Sequence, residues 1–327
     1  MAMTEEELRK DIENRETYLG GSEMAAVLGQ NKYKSKIELY VEKAGLVERK
    51  KFTAEQHERM DIGNEIEDFI GTLYCAKTGH KIQKKNSAYI HPTYPFFKGH
   101  VDRLICNEDG ILEIKNVGHF AAKDWAKPHD DFNQPHPDGV PKYYYWQVMF
   151  YMYISGKKFA NFAAFFEGNK LGIYHVPRDE EAIAYMEKNA LKFWNDVQEK
   201  NPPLADGSES AKAVVDLAED QGETVQSTPD IDSWLQRELE LASQIALLKS
   251  EKEIYRNRIK QHMGNAAVLS TYAAHVTWKA DRDKIVLKPL KDIEEFLKSK
   301  LNDDDFQSIT KLKKGSRKLI IKKSKDN

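Results

Sequence analysis

Along the first 200 residues, apolar side chains recur in two alternating rhythms, one suited to helices and one to strands. Ser22 stands before the run Glu23–Leu28, which Gly29 closes, so a short helix with Ser22 at its N-cap is predicted. Ser35 and Glu38 have the spacing of a capping box and predict a second helix through Ala44. Ile62, Ile66, Phe69, Ile70 and Leu73 give a third helix its apolar stripe. From Phe96 to Val117 the period falls to two. Two strand-like runs there flank Asn107-Glu108-Asp109-Gly110, a hairpin loop by composition. Tyr143–Tyr153 reads as a helix so aromatic that core packing explains most of it.

After residue 200 the text turns to Pro, Gly, Ser and acidic residues with little to bury, the composition of a linker. Beyond it, Leu241, Ile245, Leu248, Tyr255 and Ile259 predict one long amphipathic helix ending near Met263-Gly264, where glycine is a natural stop. Ala274–Trp278 reads as a strand, and a short helix and a basic tail complete the chain. The expected organisation is a domain over 1–200, a linker over 201–229 and an extension over 230–327.

Composition narrows the class. With 327 residues, 40% of them hydrophobic, the chain has ample material for a core. No apolar run approaches the roughly 18 residues of a membrane-spanning helix. The acidic opening, MAMTEEELRK, is not expected to act as a secretory signal. Two cysteines, Cys75 and Cys106, form no metal-type pair and suit a reducing cytoplasm. They also cannot supply the four thiolates of an iron–sulfur cluster. Residues 311–327 hold eight Lys/Arg against one Asp; the formal net charge of −2 therefore leaves the other 310 residues at −9. An acidic body with a basic tail suits a polyanion contact at the tail, or a cation site in the body.

The hairpin carries the candidate chemistry. If residues 107–110 are its loop, Cys106 pairs with Ile111 and paired numbers sum to 217, which sets Asp102 opposite Lys115. Glu113 lies one pleat away, and all three side chains emerge on one face. Two carboxylates and an ammonium inside otherwise apolar strands are costly unless a cation lies among them or they form a structural ion pair. Oxygen donors of this kind suit Mg²⁺ or Mn²⁺. The Gly20-Gly21-Ser22 turn lets backbone approach a ligand, and the helix behind it offers N–H groups to an anion.

Asp102, Glu113-Ile114-Lys115 and three further segments resemble the YqaJ-like viral recombinases, relatives of the phage lambda exonuclease within the restriction-endonuclease-like nuclease superfamily. Those segments are Tyr18–Gly29, Gly63–Glu67 and Trp146–Tyr151, with Gly99–Asp102 and Leu112–Lys115 at the hairpin. The resemblance runs through about residue 200. It implies an α/β fold, a restriction-endonuclease-like core with a central mixed sheet flanked by helices, followed here by a mainly helical C-terminal extension. It further implies that Asp102, Glu113, the Ile114 carbonyl and Glu67 ligate Mg²⁺ or Mn²⁺, two ions per site, with Lys115 as the catalytic lysine. Gln147 takes the place of a glutamine beside the active site, and Tyr151 falls one helical turn later on the same face. Arg15 and Ser22 would bind a DNA 5′-phosphate.

The implied activity is 5′-to-3′ exonuclease action on linear double-stranded DNA ends, leaving 3′ overhangs for a RecT-type single-strand annealing partner. A homo-oligomer, a trimeric ring, and a cytoplasmic, phage- or prophage-encoded setting with no membrane partner come with it. Another nuclease of the same fold, or a non-catalytic DNA-binding recombination protein, stays open beside it. Two departures stand out: His100 replaces the family's serine two residues before the aspartate, and Val101 replaces a proline. The polar insert Lys127–Lys142, with His129 and His136, shows no tetrahedral zinc spacing and reads as a loop.

Overall fold

The computed structural model describes residues 15–47, 53–85, 87–218, 221–271, 274–279, 297 and 299–300. The expected short helix after residue 279 is represented only by residues 297, 299 and 300, and the basic tail lies outside the described residues. The chain divides into two units at Glu219/Asp220. In the first, 3₁₀ turns at Arg15–Thr17 and Gly21–Glu23 lead to helix α1 (Met24–Val27), then α2 (Lys36–Lys43) and α3 (Ala54–Thr78). Strands β1 (Ile82–Lys84), β2 (Tyr89–Ile90), β3 (Lys98–Gly99), β4 (Arg103–Ile105) and β5 (Gly110–Val117) follow. Helices α4 (His119–Ala122) and α5 (Lys142–Ser155), strands β6 (Phe159–Phe166) and β7 (Lys170–Pro177), and helices α6 (Glu180–Gln198) and α7 (Glu209–Val215) complete it.

The central sheet has the order β1-β4-β5-β6-β7. Strands β5 and β6 are parallel and the other pairs antiparallel, so the sheet is mixed as expected. A parallel pair needs a crossover, and α5 supplies it. Ile111 and Val117 point to the face where α5 packs, in a core shared with α1 and α6. Leu112 and Ile114 point to the other face, against Ile70 and Tyr74 of α3. Strands buried on both faces lose the apolar–polar alternation, which is why Phe159–Phe166 is apolar at every position but Asn161, itself buried.

Several expectations shift in detail. The buried stripe of α3 runs through Ile70 and Tyr74, with Ile66 partly covered, while Ile62 and Phe69 are exposed. Ser22 is not an N-cap. Its turn begins at Gly21, and the Glu23 carboxylate accepts from the Gly20 N–H at 2.9 Å. Paired numbers across the hairpin sum to 215, with Arg103 against Leu112 and Leu104 against Ile111. The loop therefore starts at Cys106, whose N–H is committed to the Lys81 carbonyl at 2.7 Å, and Asn107 takes the left-handed backbone that asparagine tolerates (φ 61°). A step of two keeps every side chain on its expected face, and it sets Asp102 opposite Glu113 instead of Lys115.

The stretch 201–229 is not featureless. Ser208 caps α7, and Ser210 accepts the Ser35 N–H at 3.0 Å while donating to Glu38. Ser35 Oγ accepts from the Glu38 N–H at 3.2 Å, so half of the capping box forms directly and Ser210 completes the other half. In the second unit, α8 (Pro229–Met263) is a single helix begun by the Thr228 cap, and β8 (Val268–Ser270) pairs with β9 (His275–Thr277). Its Leu241, Ile245, Leu248, Tyr255 and Ile259 are exposed.

Candidate active site

The register of the hairpin and the pitch of α5 bring the expected residues together. Glu113 is 1% exposed and lies on the α5 face of the sheet. Its Oε1 accepts from Lys115 Nζ at 2.6 Å and from Gln147 Nε2 at 2.6 Å. Gln147 also donates to the Tyr151 hydroxyl at 3.2 Å, one turn along the helix. Asp102 Oδ2 accepts from the Ile114 N–H at 2.8 Å, which ties the end of the β3–β4 segment to β5. Burial, with repulsion from Asp102, pushes the Glu113 carboxyl up to about 8. Burial opposes the charge on Lys115, but Glu113 and Asp102 outweigh it and hold the ammonium protonated. Burial and the same two carboxylates keep the Tyr151 hydroxyl protonated.

Glu67 reaches the edge of this group from α3. Burial raises its carboxyl, and Asp102 adds to the rise. Sequence reasoning missed the residue that meets it. Arg103, 4% exposed, donates to Glu67 Oε1 at 3.4 Å, to the Asp102 carbonyl at 2.7 Å, and to Asp68. The available signal was strand alternation: the residue after Asp102 must face α3, where Glu67 and Asp68 supply the acids. Tyr144 was missed as well; Lys115 Nζ stands 4.7 Å over its ring.

Arg15 and Ser22 do meet, the guanidinium donating to the serine hydroxyl. The turn carrying them is pinned to β3 by backbone bonds from Leu19 N–H to Phe96 (2.7 Å) and from Lys98 N–H to Leu19 (3.1 Å). Glu23 lies 3.7 Å from Arg15 Nε and 2.9 Å from Lys43 Nζ. A cavity of about 380 Å³ opens beside Arg15, Glu23 and Lys43. Tyr151 lies between the Gly21 turn and the Gln147 side chain that holds Glu113. A Cβ on Gly21 would lie 2.7 Å from its ring and one on Gly99 2.9 Å, so both glycines are needed for the ring to sit where it does. His100 is half-buried two residues before Asp102.

Do these residues fit a divalent cation? Asp102 and Glu113 offer hard oxygen donors, and Glu113 Oε2 is buried with no hydrogen bond among the described residues. A buried carboxylate oxygen without a donor is costly, and a cation is the partner it lacks. Among the described residues no three His, Cys, Asp or Glu side chains are already gathered around one point. Asp102 and Glu113 fit as oxygen donors to such an ion, whereas Glu67 is engaged by Arg103.

A helix-flanked mixed sheet with paired carboxylates and a lysine on its central strands defines the class to which the comparisons also point. A model of the YqaJ-like viral recombinase domain matches residues 12–158. A Bacillus subtilis (strain 168) protein, uncharacterized protein YqaJ, is 31% identical over 283 residues, covering 84% of this chain and 84% of its own. The chain belongs to the YqaJ-like viral recombinase family. Among solved structures, an alkaline exonuclease (LHK-Exo) from Laribacter hongkongensis aligns with a TM-score of 0.42 and 19% identity, over 59% of this chain and 94% of that one. A phage-related exonuclease from Haemophilus somnus 129PT aligns at 0.40 and 15%, over 56% and 96%.

Proposed function

We propose that the chain is a divalent-metal-dependent nuclease that shortens one strand of linear double-stranded DNA from its 5′ end. One observation carries the reading: Glu113, buried and opposite Asp102, shares a single oxygen with Lys115 and Gln147 and leaves the other without a donor. Asp102, Glu113 and the Ile114 carbonyl would hold Mg²⁺ or Mn²⁺, with Glu67 joining them. Bound there, the ion would supply charge to the phosphate and a more acidic water.

The chain's own groups do the rest. Lys115, kept protonated, faces the position where a phosphate would gain negative charge. Gln147 fixes the Glu113 carboxylate from the helix side. Arg15 and Ser22 present a guanidinium and a hydroxyl to a terminal phosphate, the donor set such a group requires. In the hydrolysis a water oxygen bonds to phosphorus, the bond from phosphorus to the 3′ oxygen breaks, and a proton reaches that oxygen. A 5′-mononucleotide leaves, and the next residue becomes the new phosphorylated end. We further propose that the 3′ overhangs serve a RecT-type annealing protein and that the active form is a ring-shaped trimer around the duplex.

The test compares wild type with Lys115→Ala on end-labelled linear duplex in Mg²⁺, with and without a 5′-phosphate. Wild type should prefer the phosphorylated end, and the variant should lose about 10²–10³ in rate. A variant as fast as wild type rejects the assigned chemistry. Nicking of closed circular DNA would indicate an endonuclease instead.

A further inference from the structure

A line of tyrosine rings leads outward from the candidate active site, and the mechanism above does not use it. Lys115 Nζ stands over the Tyr144 ring, whose centroid lies 4.5 Å from that of Tyr143 at an interplanar angle of 60°. Tyr143 in turn meets Tyr33 edge-on at 5.8 Å. Lys32 Nζ lies 4.9 Å from the Tyr33 centroid and 5.8 Å from that of Tyr143, and Asp124 holds the ammonium in that position. The last ring is uncovered: Tyr33 is 65% exposed, on the short segment between α1 and α2.

Tyr33 is not covered by its neighbours, although it touches both the Tyr143 ring and the Lys32 ammonium. A lysine stands at each end of the path, Lys32 at the rim held by Asp124 and Lys115 at the inner end held by Glu113. An open aromatic face between fixed ammonium groups matches what a single strand of nucleic acid presents, a flat base on an anionic backbone. Stacking needs no base identity, which suits an enzyme that must accept any sequence. We propose that Tyr33 and Tyr143, with Lys32, form a nucleobase-stacking subsite that holds a base of the strand entering the Glu113–Lys115 centre. The inference rests on the nuclease reading, because the path ends at Lys115.

The experiment uses the full chain in EDTA, which keeps the DNA intact, and 5′-phosphorylated duplexes carrying 2-aminopurine at each of the terminal nucleotides in turn. Wild type and Tyr33→Phe should quench the fluorophore at one position. Tyr33→Ala should abolish that quenching and weaken binding about tenfold, the loss expected for one stacked base. An abasic nucleotide at that position should weaken wild type equally and leave Tyr33→Ala unaffected. The exposed ring contributes little to folding, so equal melting temperatures confirm that the variant is intact. Unchanged quenching and affinity in both Tyr33→Ala and Tyr143→Ala would overturn the subsite. If wild type still cleaves in Mg²⁺, that failure leaves the nuclease reading standing. A wild type that stacks the base but never cleaves would fail the nuclease reading and keep the subsite.

Discussion

Tyr151 shows how a side chain without a charge can couple two charged sites. Its ring fills the space left by two missing Cβ atoms, and its hydroxyl accepts from the Gln147 amide that also donates to Glu113. Gly21→Ala would place a methyl 2.7 Å from the ring and 3.0 Å from the Gln147 carbonyl oxygen. Backbone cannot yield as a flexible side chain can, so ring and helix must both shift. We expect a loss of about 1–3 kcal/mol in stability, the range for overpacking, with cleavage falling further than stability alone explains. Gly63→Ala is the control. Among the described residues nothing lies within 4 Å of its Cβ, and alanine in the helix should stabilise by about 0.5–1 kcal/mol. Urea denaturation with parallel rate measurements checks both. An unperturbed Gly21→Ala enzyme would show that Tyr151 does not transmit position to Glu113.

Among the elements, the hairpin and α5 were the most legible in the sequence. Period-two alternation puts Asp102, Glu113 and Lys115 on one face whichever even register the loop selects, and helical spacing puts Gln147 and Tyr151 together. The exact register was not legible, because it depends on Cys106 bonding to Lys81, a residue of the β1 side that is distant in sequence. Arg103 was hidden for the same reason: a lone arginine in a strand reads as exposed until the helix bearing Glu67 and Asp68 is packed across it. The docking of α7 was hidden because its sequence resembles a linker, and hydrogen bonds of Ser210 with Ser35 and Glu38 hold it, with Ala211 buried beside them. Ser210→Ala would leave the Ser35 N–H and the Glu38 carboxylate without that partner. Stability should fall by about 1 kcal/mol, seen as a lower melting temperature, whereas an unchanged value would mean α7 docks without them.

At the scale of the whole molecule, chemistry and charge are assigned to different parts of the chain. The described candidate site residues all lie in the unit ending at Glu219, whereas the +7 segment, residues 311–327, belongs to the other part of the sequence. An acidic body repels a polyanion at long range, so a basic tail would act mainly on encounter and retention, through release of counterions. A chain ending at Glu219 should therefore fold and retain cleavage of short duplexes at low salt. Its affinity for long DNA should fall, and its dependence on salt should flatten by about 0.9 in the log–log slope for each phosphate the tail contacts. Equal slopes for the full and shortened chains would place the DNA contact wholly in the first unit. Failure of the shortened chain to fold would show that the long helix contributes to the core unit, not only to partner or DNA contacts.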